Sequence, residues 1–259
     1  MSTDRVPGRD CDVDRLDSEW IRRSQQHFET STGTVAQRLA AFPRYVDRSS
    51  LARFVVRYEL FRRVLNVQGS IVECGVYRGA GLFAFAQLSA LFEPLNHRRR
   101  IIGFDTFAGF PSVTDSDSGS AESRIGGISG ASESEMRESV ELYDVDRPFR
   151  DIPKVHLVSG DFLDTGPAFL SANPQLVVSL LYIDFDLREP TAKALELFLP
   201  RMPAGAVLAF DEVNVGEWPG ETSGLLDVLH LERLHLERMP FTAVSWAILR
   251  GDELRTRRK

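Results

Sequence analysis

From residue 70 onward the chain alternates short apolar runs with segments of helical periodicity. Runs at 70–74, 100–105, 155–159, 176–184 and 206–211 are rich in Val, Ile and Leu and are too short for helices, so they read as strands. Helices are predicted between and after them at about 80–92, 133–142, 166–171 and 189–199. This alternation implies an α/β fold built on a doubly wound, mainly parallel sheet. A further helix is expected over 224–235, then a closing hairpin or strand pair over 241–249. Ahead of the first strand, 19–39 is loosely helical. Ser49 and Ser50 can cap a strong helix over 51–66. Its apolar positions, Phe54, Val55, Tyr58, Leu60, Phe61, Val64 and Leu65, fall on two faces. That suits either packing against the sheet or an oligomer interface. Residues 1–15 read as disordered, which leaves a single domain over 16–259.

One segment breaks the rhythm. Residues 111–132, PSVTDSDSGSAESRIGGISGAS, are dense in Ser, Gly and Asp. A long irregular loop inside a compact domain is either functional or disordered. This one is a candidate lid, because it directly follows a strand that ends in an acid.

Composition narrows the partners. The chain has 259 residues, 43% hydrophobic and 26% charged, with a formal net charge of −6. The acidic balance disfavours nucleic acid and anionic membranes. The basic residues at 255–259 read as a solvated tail. No apolar run approaches the ~18 residues of a membrane span. The polar N-terminus carries no signal segment. Two cysteines, Cys11 and Cys74, make no disulfide framework, and a cytoplasmic protein is expected. Cys74 reads as a small hydrophobe at a strand end rather than a nucleophile.

The chemistry gathers at strand ends. Glu73 closes the first strand, and a turn carrying Gly75, Gly79 and Gly81 leads into a helix. Such a turn offers backbone N–H groups to a ligand at the carboxyl edge of the sheet. The dinucleotide pattern G-x-G-x-x-G is absent. The next strand-ending acid, Asp105, lies 30 positions after Gly75, farther than the ~20 of an NAD site. S-adenosylmethionine fits this spacing better. Asp105 can accept from both ribose hydroxyls. Asp161, followed by Phe162, can meet the adenine amino group beside a stacking ring.

Asp184, Asp211 and Glu212 end the fourth and fifth strands, beyond the cofactor. So many acids on adjacent strands repel one another unless cations or donors absorb the charge. With no histidine or thiolate among them, they form a hard oxygen site suited to Mg²⁺ or Ca²⁺. Asp184 and Asp186 can alternatively cap the helix that follows. The histidines fit a metal poorly. His230 and His235 are spaced wrongly for one helix face, His156 alternates inside a strand, and His97 lies in a basic turn.

The segments VECGVYRGAG (72–81), IIGFDTFAGFP (101–111), GDF (160–162), 182–212 and VSWAILR (244–250) resemble the metal-dependent sugar O-methyltransferases typified by macrocin and mycinamicin methyltransferases. The chain departs from the family pattern at three places. Phe185 replaces a glycine, 187–190 differ from Y-x-S, and Glu212 replaces a second aspartate. The resemblance implies a class I methyltransferase fold, Rossmann-like, with seven strands in the order 3-2-1-4-5-7-6. It implies that Glu73, Gly75, Val76 and Tyr77 line the methionine end of S-adenosylmethionine. Asp105, Thr106 and Phe107 would hold the ribose, and Asp161 with Phe162 the adenine. Asp184, Asp211 and Glu212 would bind the divalent cation, with Asp184 also taking the proton. Ser49 and Ser50 would lie where such enzymes close over the cofactor.

The expected reaction is therefore O-methylation of a deoxysugar hydroxyl in secondary metabolism, carried out by a homo-oligomer on a small-molecule sugar. N-methylation of an amino sugar, a metal-dependent phosphoesterase and a non-catalytic binding module are the competing readings.

Overall fold

The computed structural model describes residues 10–251, with side chains from residue 19. The expectations for 1–9 and for the basic tail at 255–259 lie outside the described residues. The chain divides into two compact units, Met1–Ala52 and Arg53–Lys259.

In the first unit, helix α1 (Asp10–Thr30) already occupies 10–15, where disorder was expected. The loosely helical 19–39 is two helices. Gly33 turns the chain at φ +101°, and Thr34 closes a capping box with Gln37 at the start of α2 (Val35–Ala40). The Tyr45 ring packs edge-on against Phe28 at 5.0 Å. Helix α3 (Arg48–Val64) begins ahead of the expected serine cap. Asp47 fills that role: its carboxylate accepts from Ser50 N at 2.7 Å and from the Ser50 hydroxyl at 2.6 Å. A charged acceptor there also complements the helix dipole.

The second unit contains strands β1 (Ser70–Cys74), β2 (Ile101–Asp105), β3 (Val155–Ser159), β4 (Val178–Ile183), β5 (Val207–Phe210), β6 (Glu237–Arg238) and β7 (Ser245–Ile248). Between them run α4 (Ala80–Phe92), α5 (Glu133–Val145), α6 (Phe162–Ala172), α7 (Arg188–Phe198) and α8 (Pro219–Val228). The strands form one sheet in the order β3-β2-β1-β4-β5-β7-β6, as the resemblance implies. Strands β1 to β5 pair in parallel, and β7 runs antiparallel to both β5 and β6.

Both faces of the sheet are covered, which is why its strands read as nearly continuous apolar runs. Val72, Ile102, Phe104, Leu181, Ile183, Leu208 and Phe210 pack on one side with Leu195 and Phe198 of α7 and Leu225 of α8. Ile71, Leu180, Tyr182 and Ala209 pack on the other with Val56, Leu60, Phe61 and Val64 of α3 and with Leu82 and Phe85 of α4. Burying each large aliphatic or aromatic side chain contributes roughly 1.5–3 kcal/mol. The same two-residue alternation puts Glu73, the register partner of Tyr182, on the α3 face.

Two helices depart from expectation. Helix α6 starts at Phe162 rather than 166, because Asp161 caps it by accepting from Leu163 N. Helix α8 starts at Pro219, where a first-turn proline loses no helical hydrogen bond, and ends at Val228. The helix expected over 224–235 is therefore displaced, and neither His230 nor His235 lies on it. Among the described residues no helix is long and apolar enough to cross a membrane.

Candidate active site

The order of strands reverses around β1, and a cavity of about 330 Å³ opens at the carboxyl ends there, where ligands of open α/β sheets bind. Gly75, Tyr77, Asp105, Thr106, Asp161, Phe162, Asp184, Asp211 and Glu212 all line it. Nine of the sequence-predicted residues thus converge. Val76, Phe107 and Glu73 do not line it.

Gly75 is required sterically. Its φ is +93°, and a Cβ would come 1.9 Å from the Asp184 carbonyl oxygen. Asp184 N in turn donates to Cys74 O at 2.8 Å, so the β1 and β4 ends interlock. Asp105 organises the turn from the neighbouring strand. One carboxylate oxygen accepts from Val76 N at 2.7 Å and Tyr77 N at 2.8 Å, and the other from Phe107 N at 2.7 Å. Tyr77 and Phe107 both hold φ near 53°, a left-handed conformation costly for such side chains. These hydrogen bonds offset that cost. Val76 and Phe107 therefore serve the site through their backbone.

Asp161 uses one oxygen to cap α6 and presents its side chain to the cavity. Phe162 packs on Phe104 at 5.1 Å and on Phe185 at 4.9 Å. The Phe185 that replaces the family glycine thus adds an aromatic wall.

Glu73 is 1% exposed and pairs with Arg57 at 3.4 Å. It does not line the cavity, because strand alternation turns it towards α3. Burial lifts its pKa to about 7 against the opposing pull of Arg57. Burial also pushes the Cys74 thiol up, which agrees with an inert cysteine.

The second half of the cavity is acidic. Asp184, Asp186, Asp211 and Glu212 line it, with Arg53 at its edge. The closest acidic grouping is Asp184, Asp186 and Glu221, whose ligand atoms can lie within 4.8 Å of one another. This differs from the expected trio of Asp184, Asp211 and Glu212. The Tyr182 hydroxyl donates to Asp211. Asp186 was the alternative cap for α7, yet that helix has no cap from Asp184 or Asp186. Arg188 N donates instead to Asp117 of the 111–132 segment, at 2.7 Å.

Glu221, fully buried, accepts from Glu212 N at 3.1 Å and Asp186 N at 3.4 Å, so it ties both acid-bearing turns from below. Burial and then Asp211 raise the pKa of Asp184 well above the ordinary range and that of Asp186 to about 7. Burial, Asp186 and Asp211 raise Glu212 to about 7. Burial and Asp186 push Glu221 well up. The group is short of positive charge.

Arg57, Asp117, Asp186 and Glu221 were missed as site residues. Arg57 had a signal: it stands at helical spacing from Leu60, Phe61 and Val64, an arginine on the inward stripe of α3.

The fold and this rim define a class I methyltransferase. Residues 55–222 match the macrocin-O-methyltransferase (TylF) family, and the chain belongs to that family. A curated relative from Streptomyces olivaceus is an 8-demethyl-8-(2,3-dimethoxy-alpha-L-rhamnosyl)-tetracenomycin-C 4'-O-methyltransferase. It is 32% identical over 156 residues, 58% of this chain and 55% of that protein. The match thus spans about half the length of that relative.

Two crystal structures of CalS11, the calicheamicin methyltransferase, share 31% identity. One superposes with a TM-score of 0.87 over 95% of this chain and 99% of that one. The other, an apo form described as a TDP-rhamnose 3'-O-methyltransferase, gives 0.78 over 90% and 94%. The O-methyltransferase NovP, at 21% identity and a TM-score of 0.59 over 76% of this chain and 79% of that one, shares the fold.

Proposed function

We propose that this protein transfers a methyl group from S-adenosylmethionine to a hydroxyl of a deoxysugar, with a divalent cation at the acidic rim. The observation that carries this reading is a single cavity with two chemically distinct halves. One half is a glycine turn with Asp105, Asp161 and Phe162; the other is a group of carboxylates. The relatives' sugar substrates support it, and family membership sets aside the phosphoesterase and binding-module readings.

The donor set fits Mg²⁺ or Ca²⁺. It is all oxygen, and its carboxylates are held above their ordinary pKa by burial first and then by one another. Glu212 Oε2 is buried with no hydrogen-bond partner. Asp184 and Asp186, whose oxygens converge with that of Glu221 within 4.8 Å, would hold the ion, with Asp211 and Glu212 on the same rim. A cation held there would lower the pKa of the sugar hydroxyl, and S-adenosylmethionine would supply the methyl group.

The chain's own residues do the rest. Asp105 fixes the glycine turn by accepting from Val76 N and Tyr77 N on one oxygen, and its other oxygen, which accepts only from Phe107 N, serves the ribose. Asp161 takes the adenine side, with Phe162 and Phe185 in the same wall. Asp184 accepts the hydroxyl proton on its carboxylate. Orientation inside a closed cavity supplies much of the rate, ~7–11 kcal/mol in well-aligned systems. The 111–132 segment, which contributes Pro111, Ser112 and Ile128 to the wall, acts as the lid. Oxygen rather than nitrogen methylation follows from the acidic rim, since an amine loses its proton to water without Lewis-acid help.

Titration calorimetry with S-adenosylmethionine, then S-adenosylhomocysteine release with nucleotide deoxysugars in Mg²⁺ and in EDTA, tests the proposal. Binding with cation-dependent turnover is expected. No cofactor binding would remove the reading.

A further inference from the structure

Arg57 lies beneath the acidic rim, 5% exposed, on a helical stripe otherwise given to Val56, Leu60, Phe61 and Val64. Its guanidinium sits over the Tyr182 ring, 4.0 Å from the centroid. Nη2 lies 3.4 Å from Glu73 Oε1 and 3.6 Å from Asp184 Oδ2, and Nη1 lies 3.8 Å from Asp211 Oδ1. The Tyr182 hydroxyl donates to the same Asp211 oxygen. One cation therefore reaches acids at the ends of β1, β4 and β5 together.

Folding alone does not call for a charge there. Burying an ion costs several kcal/mol, and well-packed hydrophobic residues often serve stability as well or better. Nε and Nη1 are moreover buried without a hydrogen bond. The planar fork is what suits the place. A ring clamps one face, Glu73 stands outside the cavity, and Asp184 and Asp211 stand within it. A lysine ammonium, compact and flexible, cannot stack and reach three carboxylates at once.

We propose that Arg57 is a positioning residue: pinned by Tyr182 and Glu73, it holds the carboxylates of Asp184 and Asp211 in the orientation used for proton acceptance and cation binding. The proposal rests on the function put forward above.

The test compares the wild type with Arg57→Lys and Glu73→Gln, each first checked for native circular dichroism. Calorimetry measures S-adenosylmethionine and Mn²⁺ affinity, and S-adenosylhomocysteine release gives kcat and KM. In Arg57→Lys, Mn²⁺ affinity and kcat are expected to fall about 10–100-fold, the usual effect of losing the support behind a ligand. Cofactor affinity and sugar KM should stay within about threefold, the split expected when alignment rather than binding is lost. Glu73→Gln keeps the buried shape but unpins the guanidinium, and should show the same split at roughly fivefold.

A folded Arg57→Lys with wild-type kcat and Mn²⁺ affinity overturns the proposal. If that variant fails to fold, Glu73→Gln with wild-type values overturns it. A wild type that binds no S-adenosylmethionine sinks the function reading alone, because the Mn²⁺ comparison still decides for Arg57. A wild type that binds no Mn²⁺ leaves kcat to decide. A wild type with neither property overturns both.

Discussion

The backbone N–H of Arg188 donates to Asp117 Oδ1 at 2.7 Å, across 71 positions of sequence. The other oxygen of Asp117 accepts from Thr114 N at 2.9 Å and the Thr114 hydroxyl at 2.6 Å, and the residue is 3% exposed. The serine-rich segment is thus anchored by a charge at the N-terminus of α7, beside Asp186. Losing such a cap costs about 1 kcal/mol. Asp117→Ala is expected to lower stability by that amount in urea unfolding and to open the segment to trypsin at Arg124. Asp117→Asn keeps one acceptor but turns its amide NH2 against the donors of the other oxygen, so it should lose part of the same stability. Equal trypsin resistance in the wild type and the alanine variant would remove the anchor.

Asp184→Ala should leave the fold and S-adenosylmethionine affinity intact while turnover drops about 10²–10⁴-fold, the range for loss of a general base. Asp211→Ala should keep cofactor binding and lose cation-dependent turnover. An active Asp211→Ala enzyme would take the cation out of the mechanism.

The acidic rim makes stability depend on pH and cation together. Asp186 and Glu212 stand near 7 in the folded chain, against roughly 4 when unfolded. The folded state therefore binds more protons than the unfolded one between those values. Its advantage is full below about 4 and disappears as pH rises through about 7. In EDTA the melting temperature should fall across that window. A cation at a hundred times its Kd restores about 2.7 kcal/mol, and it competes with protons for the same oxygens. Mg²⁺ should accordingly raise Tm more at pH 7.5 than at pH 5. Equal shifts at the two pH values would count against the site.

Gly75→Ala combines a positive φ with a Cβ 1.9 Å from the Asp184 carbonyl oxygen. Strained backbone of this kind costs on the order of 1–3 kcal/mol before any clash is counted. The variant should be less stable in chemical denaturation and should lose both cofactor affinity and turnover, since the β1 and β4 ends must separate. Gly126→Ala, where a Cβ meets nothing within 4 Å although its φ is also positive, is the control for strain alone.

What could be read without coordinates was whatever has a local cause. Strands 70–74 and 155–159 announced themselves as apolar runs with punctuated ends, and each parallel strand deposits its terminal residue on one edge, so Asp105, Asp184 and Asp211 were legible as a group. Boundaries set by capping were harder. Asp161 was read as a ligand group and not as the cap that moves α6 forward, and the proline signal at Pro219 was passed over in favour of the apolar spacing after Gly224. Long-range partners were not legible at all. Nothing near Asp117 says that it will meet Arg188, and nothing near Glu221 says that it will hold the turns of Asp186 and Glu212. Nor does anything near Glu73 say that it will pair with Arg57 of α3.

One edge of the sheet is β6, two residues long, with both Glu237 and Arg238 exposed; the other is the parallel strand β3. A border so short and so charged is a poor template for a foreign strand. Edge-to-edge growth into cross-β aggregates is therefore blocked on the β6 side by geometry and charge together, and the strands that deliver Asp184 and Asp211, β4 and β5, lie inside the sheet.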